Sequence, residues 1–93
     1  MYRECFLCGC TTDRIERHHL IGGTANRRIS DRYGLVVDLC WRCHRLAHFD
    51  NETRILLHQY GEKLFMDQQN ATVEDFIRVF GKNYLEDDGN GDD

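Results

Sequence analysis

The sequence predicts a small α+β domain that is held together by a bound metal ion. Three observations lead to this prediction: two Cys-x-x-Cys units far apart in the chain, two short strand-like stretches before residue 40, and three stretches of helical spacing after it. With 93 residues, the chain is long enough for one domain with a small core. A core of that size usually needs a further staple, and a metal bound by cysteines would provide it.

Four of the five cysteines form two Cys-x-x-Cys pairs, Cys5 with Cys8 and Cys40 with Cys43. Two thiolates at this spacing converge on one tetrahedral ion. The first residues contain no apolar signal region, and no apolar run approaches the roughly 20 residues that span a bilayer. We therefore expect a reducing, cytoplasmic setting without membrane contact, in which the paired cysteines hold a structural Zn²⁺. The fifth, Cys10, is either a spare thiol or a competitor of Cys8.

The second cysteine pair runs directly into two histidines at His-x-x-x-His spacing, His44 and His48. On a helix that begins near residue 41, these imidazoles lie on one face, one turn apart. Neighbouring helical residues are rotated by roughly 100°, so Cys43 and His44 point in different directions. One helix start can therefore serve two separate metals, one bound by sulfur and one by nitrogen.

A histidine pair earlier in the chain, His18-His19, can supply the further imidazole that the nitrogen site needs. Adjacent residues of an ideal strand point to opposite faces. Both histidines can then serve one site only if the chain twists or turns nearby, which Gly22-Gly23 would permit. The alternative is a four-cysteine zinc site accompanied by incidental histidines.

The elements before residue 41 follow from local patterns. Residues 5–10 are predicted to turn around the first thiolates, and Thr11-Thr12-Asp13 to form a polar turn. A weakly alternating strand is expected over 14–21, and a clearer, β-branched strand over 35–39. Between them, residues 24–34 are polar and rich in arginine, and form either a loop or a short helix.

Three helices are predicted in the second half, the first over 41–48. The second covers roughly 52–67 and is capped by Asp50 or Asn51. Gly61 interrupts its apolar stripe, which consists of Ile55, Leu56, Tyr60, Leu64 and Phe65.

The third helix follows a sequence, Thr72-Val73-Glu74-Asp75, that resembles a capping box with Asp in the Glu position. Gly81 is typical of a helix end. The apolar residues of this helix are predicted to lie in the core, because their helical spacing is that of a packed face. They are Val73, Phe76, Ile77 and Phe80.

Charge divides the chain. The net charge is −4, but residues 1–54 carry +2 and residues 55–93 carry −6. All nine basic residues of the first part are arginines, whose planar fork suits phosphate, although a solvated, mildly basic face is the alternative. The acidic residues 86–93 are predicted to be disordered. We expect a single domain over 1–85, with a core at 5–50 and a helical extension at 51–85.

These motifs together resemble those of HNH endonucleases, which have a ββα-metal core. The matching residues are His18-His19 at the end of the first strand, Leu39-Cys40-Trp41-Arg42-Cys43-His44 at the second strand-to-helix junction, and His48 one turn on. The paired Cys-x-x-Cys units are similar to those of the zinc-stapled branch. The stretch 18–50 resembles small HNH proteins of phages and prophages. The resemblance is strong over residues 5–48 and looser elsewhere.

The resemblance implies a role for each matching histidine. His18, His44 and His48 would hold a catalytic metal, and His19 would be the general base that activates water. One departure concerns the family's middle Asn, which braces the loop and orients the base. It is absent before the second cysteine pair, and Asn26 is the only Asn in the loop.

The function implied is that of a metal-dependent endonuclease that hydrolyses double-stranded DNA in the cytoplasm of a bacterial host cell. Three imidazoles favour Zn²⁺, Ni²⁺ or Mn²⁺, although availability can make Mg²⁺ or Mn²⁺ the working ion. Arg27, Arg28 and Arg45 are candidate contacts to DNA phosphates. The alternative is a non-catalytic, zinc-stabilised module that binds DNA or protein, which the missing Asn and the acidic second half favour.

Overall fold

The computed structural model describes residues 2–22 and 24–85. This part of the chain forms a small α+β structure with four helices and two antiparallel sheets of two strands each, as the class prediction states. Along the chain the elements are β1 (Arg3–Glu4), β2 (Thr11–Thr12), β3 (Ile15–His19), α1 (Thr24–Tyr33), β4 (Val36–Cys40), α2 (Trp41–Phe49), α3 (Asn51–Gln69) and α4 (Val73–Phe80).

The predictions about the acidic tail and about the membrane concern features outside the helices and strands given above. The acidic residues 86–93, predicted to be disordered, lie outside the described residues, as does Gly23 of the glycine pair. Within the described residues, no helix is both long and apolar enough to cross a bilayer.

The first sheet corrects the prediction of a polar turn at residues 11–13. Thr11–Thr12 is a short strand, and it pairs antiparallel with Arg3–Glu4. The chain between these strands is the predicted turn around the first thiolates. It is closed by hydrogen bonds from the backbone N–H of Cys5 to the carbonyl of Cys10 at 2.8 Å and from Gly9 to Cys5 at 3.0 Å. Gly9 has φ +79°, a conformation that favours glycine.

The second sheet confirms both predicted strands, with ends that differ by one or two residues. β3 and β4 pair antiparallel, with His18 opposite Val37 and Ile15 opposite Cys40. Helix α2 begins at the residue after Cys40, as predicted. This register brings the start of β3 beside the second cysteine pair and places His18 farther along the same sheet.

The arginine-rich segment forms the predicted short helix, so the loop alternative is wrong. Ser30 ties this helix to the end of β3, because its buried hydroxyl donates to the carbonyl of Ile21 at 2.9 Å. The carbonyl of Ser30 accepts from the backbone N–H of Leu35 at 2.8 Å. Gly34 lies at the helix end with φ +71°. Helix α1 is therefore fixed against the strand that carries His18 and His19.

The ends of the last helices agree with their local signals. The carboxylate of Asp50 accepts from the backbone N–H of Thr53 at 3.0 Å, as expected of an N-cap. Thr72 and Asp75 form a complete capping box, and Gly81 ends α4 with φ +91°. Each of these features depends on residues within four positions of one another, which explains why the sequence predicts them.

The predicted apolar stripe of α3 is partly wrong. Leu56 is 57% exposed and Tyr60 is 39% exposed, whereas Leu57 and Glu62 are almost fully buried. The helix presents Gly61 to the core, where the missing side chain allows close contact with the segment after β3. This approach sets the rotation of the helix, and local periodicity does not contain that information.

Aromatic residues of α3 and α4 form part of the core, as predicted for Phe76 and Phe80 of α4 and for Phe65 in the apolar stripe of α3. Phe76 and Phe80 are buried and stack with ring centroids 4.6 Å apart. Phe65 of α3 packs edge-on against both rings. Ile77, which was also predicted to be core, is 38% exposed because it lies on the outer side of α4.

Gly61→Ala is expected to destabilise the protein by about 1–3 kcal/mol, the usual cost of overpacking a core. A Cβ at this position would lie 2.8 Å from Cβ of Leu20 and 3.2 Å from Cδ1 of Ile21. In an exposed helix the same change would stabilise, because alanine has the higher helix propensity. Urea denaturation measures the difference, with Gln68→Ala on the exposed side of α3 as the control. A variant as stable as the parent would contradict the close approach.

Candidate metal centres

Four cysteine sulfurs meet where the first turn packs against the start of α2. The ligand atoms of Cys5, Cys8, Cys40 and Cys43 all lie within 4.8 Å of one another. Sγ of Cys8 lies 3.8 Å from Sγ of Cys40. Thiolates at the usual Zn–S distance on a tetrahedral ion are separated by roughly 3.8 Å. The predicted sulfur ligands are therefore brought together at a spacing that can hold one metal ion.

Backbone N–H groups around this cluster favour thiolates at two of the four sulfurs. Burial raises the pKa of Cys5, but hydrogen bonds from the N–H groups of Cys8, Cys40 and Leu7 together outweigh it and lower this pKa to about 6. The N–H of Cys43, at the start of α2, lowers the pKa of Cys40 despite opposing burial. Sulfur ligands bind metal as thiolates, so these donors prepare the cluster for an ion.

Cys10, the predicted competitor of Cys8, is not a member of the four-sulfur group. A hydrogen bond with Cys8, together with burial, raises the pKa of the Cys10 thiol to about 12. The geometry therefore brings Cys8, and not Cys10, together with the other three sulfurs.

Three histidines meet on the other side of α2. The nearest ring nitrogens of His18, His44 and His48 lie within 4.8 Å of one another. The Nε2 atoms of His44 and His48 are 3.2 Å apart. Two imidazole nitrogens on one ion are separated by roughly 2.9–3.4 Å, depending on the coordination angle. The predicted second ligand set is thus assembled from the end of β3 and two successive turns of α2.

The state of two of these rings suits metal binding. Burial, reinforced by the nearby His44 and His48, lowers the pKa of His18 to about 4, so this ring is neutral at neutral pH. Nδ1 of His44 hydrogen-bonds to the carboxylate of Glu16. A carboxylate can only accept, so Nδ1 carries the proton and Nε2 keeps its lone pair.

Glu16 was missed in the sequence, although a signal for it was present. It precedes His18 by two residues on β3, so both side chains lie on the face of the strand that α2 covers. Its position therefore follows from the alternation of a strand, once the strand itself is accepted.

The expectation that His18 and His19 point to opposite faces of β3 is confirmed. His18 faces α2, whereas Nε2 of His19 lies 3.1 Å from Oδ1 of Asp31 on α1. His19 is not a member of the three-histidine group. Both histidines nevertheless line the same cleft, which has a volume of about 590 Å³.

Arginines surround this cleft, but only one of them was predicted. Arg27 lines it, together with Arg17 of β3 and Arg54 of α3. Arg28 is exposed and does not line the cleft. Arg45 lies on the outer side of α2, 6.0 Å from the ring of Phe49. The structure therefore separates the three predicted phosphate contacts onto different surfaces.

Helix α3 and the segment after α4 contribute further residues that the sequence analysis missed. Arg54 and His58 are four residues apart on α3, a spacing that places both on one face toward the cleft. Tyr84 packs against His58 with ring centroids 4.4 Å apart. Its backbone N–H donates to the fully buried carboxylate of Glu62 at 2.7 Å, and burial raises the pKa of that carboxyl.

The amide of Asn26 makes its hydrogen bond away from the cleft that His19 lines. Its amide Nδ2 donates to the carbonyl of Phe80 at 3.5 Å, at the end of α4, and the residue does not line the cleft. The possibility that Asn26 replaces the missing family Asn beside the general base is therefore not supported by its position.

Comparisons of the chain with models of known families, with curated proteins and with solved structures found no match.

Proposed function

We propose that this chain is a metal-dependent HNH endonuclease that hydrolyses phosphodiester bonds of DNA. The observation that carries the proposal is the meeting of three imidazoles, from His18, His44 and His48, on an antiparallel strand pair followed directly by a helix. A further histidine, His19, lines the same cleft but lies outside that group. Three ligands and a separate base are what a single-metal hydrolytic mechanism requires.

The two ligand sets suit different ions. Four thiolates leave no open position, so the cysteine cluster would hold a structural Zn²⁺ that staples the first turn to α2. Three imidazoles leave positions open and would hold a catalytic Zn²⁺, Ni²⁺ or Mn²⁺, or Mg²⁺ where it is the available ion. When bound, that ion would stabilise the negative charge that develops on the phosphate and on the leaving oxygen.

The chain's own residues would carry out the proton transfer and hold the substrate. His19 would take a proton from a water molecule while the water oxygen forms a bond to phosphorus. The bond between phosphorus and the 3′-oxygen breaks, and the leaving oxygen takes a proton from solvent. Arg17, Arg27 and Arg54 line the cleft, where their guanidinium groups would bind phosphates on either side of the scissile bond.

We further propose that the substrate is double-stranded DNA and that the protein acts in the cytoplasm of a bacterial host, as the resemblance to phage-type HNH proteins implies. A second candidate is a zinc-stabilised module that binds DNA or protein without cleaving it. The position of Asn26 favours this candidate, because its amide contacts Phe80 instead of supporting His19.

Plasmid cleavage separates the two candidates. The full chain is expected to nick or linearise supercoiled plasmid in the presence of Mn²⁺, and His44→Ala, purified in parallel, is expected to be inactive because it removes a ligand. Arg32→Ala is the control, since Arg32 is exposed and does not line the cleft. Equal cleavage by His44→Ala would assign the activity to a contaminant or to another site. A parent protein that binds DNA but cleaves none with Mn²⁺, Mg²⁺, Ni²⁺ or Zn²⁺ would favour the binding module.

A further inference from the structure

The geometry points to Asp31 as the residue that positions His19, the role that the resemblance gives to the missing Asn. Oδ1 of Asp31 lies 3.1 Å from Nε2 of His19. The same oxygen accepts a hydrogen bond from Nη2 of Arg17 at 3.0 Å. The catalytic meaning of this arrangement rests on the proposed function, whereas the orientation of the ring does not.

Alternation along β3 explains how one carboxylate reaches both partners. Arg17 and His19 are two residues apart, so both lie on the face of the strand toward α1, opposite His18. Asp31 lies in the last turns of α1, which Ser30 ties to the chain after β3. The contact is therefore held between two fixed elements.

The hydrogen bond determines which nitrogen of His19 can act as a base. A carboxylate only accepts hydrogen bonds, so the proton between the two groups belongs to Nε2. A neutral imidazole carries one proton, which leaves the lone pair on Nδ1. Nδ1 is then the atom that would take the proton from water.

Stability alone gives a weak account of this contact. The side chains of Arg17 and Asp31 are 61% and 51% exposed. Exposed ion pairs typically contribute little to stability. Asp38 makes a comparable exposed pair with Arg3 at 3.4 Å, without a histidine. Asp38→Ala is therefore a matched control for Asp31→Ala.

The test begins with the ring nitrogens of His19, observed by long-range ¹H–¹⁵N NMR on the full, zinc-containing chain without a second metal. The spectra are recorded at a pH above the titration of the imidazoles, and His19→Ala assigns the signals. The parent is expected to show His19 with the proton on Nε2 alone. Asp31→Ala should move both nitrogens toward the averaged shifts of a freely exchanging imidazole, and Asp38→Ala should not. Unchanged His19 shifts in Asp31→Ala would overturn the proposal.

Kinetics then separate positioning from direct contact with DNA. Asp31→Ala is expected to lower kcat about 10–100-fold, the range found when the hydrogen-bond partner that orients a metal-bound histidine is removed, with metal affinity and KM little changed. In a His19→Ala background the same substitution should have no further effect. An equal loss in both backgrounds would overturn positioning through His19 and show that Asp31 acts by another route, through its other partner Arg17 or on the substrate itself. If the parent cleaves no substrate, the proposed function fails, but the NMR result still decides the orientation of His19.

Discussion

His19→Ala is expected to bind Mn²⁺ or Ni²⁺ almost as the parent does and to cleave supercoiled plasmid about 10²–10⁴-fold more slowly, the usual effect of a positioned general base. The reason is geometric. His19 lies outside the group of imidazoles that meet at α2, and its Nε2 is engaged by Asp31 on the other face of β3. Removing its side chain therefore leaves the three predicted ligands in place.

His18→Ala is the matched comparison, because it removes the neighbouring imidazole of the same strand. His18 belongs to the three-histidine group and is 9% exposed. Its removal is expected to weaken metal binding and to abolish cleavage together. Isothermal titration calorimetry with Mn²⁺ or Ni²⁺ measures the first effect, and plasmid cleavage over time measures the second.

The two variants can also contradict the proposed roles. Loss of metal binding in His19→Ala with retention in His18→Ala would reverse the assignment of ligand and base. Cleavage by His19→Ala at the parental rate would mean that another group, or solvent, accepts the proton. Retention of metal by both variants would place the metal elsewhere than at the three-histidine group.

The sequence predicted well those features that depend on residues close together in the chain. The cap at Asp50, the box of Thr72 and Asp75, and the stop at Gly81 each occupy a single helical turn. The two metal-ligand sets were also visible, because Cys-x-x-Cys and His-x-x-x-His spacings constrain side-chain direction locally. Pairing these local units across the chain then needed only the assumption that ligands of one kind share an ion.

Features that depend on packing between distant elements were not predicted. Asp31 reaches His19 only because α1 folds back on β3. In the sequence, Asp31 is an acidic residue among several arginines, and nothing there marks it as a partner of His19. Tyr84 lines the cleft, and its backbone N–H donates to the buried carboxylate of Glu62, which lies 22 residues earlier in the sequence. The burial of Glu62 cannot be predicted from the pattern of apolar residues, because that pattern assigns charged residues to the surface.

The error in α3 has the same origin. Leu56 and Leu57 are adjacent and equally apolar, so periodicity cannot decide which of them is buried. The close approach of Gly61 to Leu20 decides it by setting the rotation of the helix. The region around the metal ligands was more predictable than the rest, because ligands must converge on a point whereas apolar faces need only be covered.

Removal of the metal that we propose at the cysteine cluster is expected to have the largest effect on stability. Binding of structural Zn²⁺ by zinc-finger peptides contributes apparent free energies of about 10–16 kcal/mol, whereas whole domains are typically stable by only about 5–15 kcal/mol. The cluster joins the first turn to the start of α2, and β1 and β2 consist of only two residues each. Apart from the ion, the first 12 residues are held against the remainder of the protein by weaker contacts, among them a backbone hydrogen bond from Phe6 to Asp38 at 2.8 Å, the exposed Arg3–Asp38 pair and the ring contact of Phe6 with Tyr60.

Cys40→Ser is therefore expected to lose its zinc and to unfold, or to melt far below the parent protein. Cys40 is 4% exposed, is the last residue of β4 and directly precedes α2, so loss of this ligand affects both elements. Cys10→Ser is the matched control: it also removes one thiol, but one outside the four-sulfur group, and should keep both zinc and melting temperature.

Elemental analysis of dialysed protein measures the zinc content, and circular dichroism follows the melting. We expect about one tightly bound zinc per chain in the parent and in Cys10→Ser, because a four-thiolate site holds a single ion. Full zinc content and unchanged melting in Cys40→Ser would rule out a structural zinc site that depends on Cys40, and loss of zinc in Cys10→Ser alone would identify Cys10 as the ligand in its place.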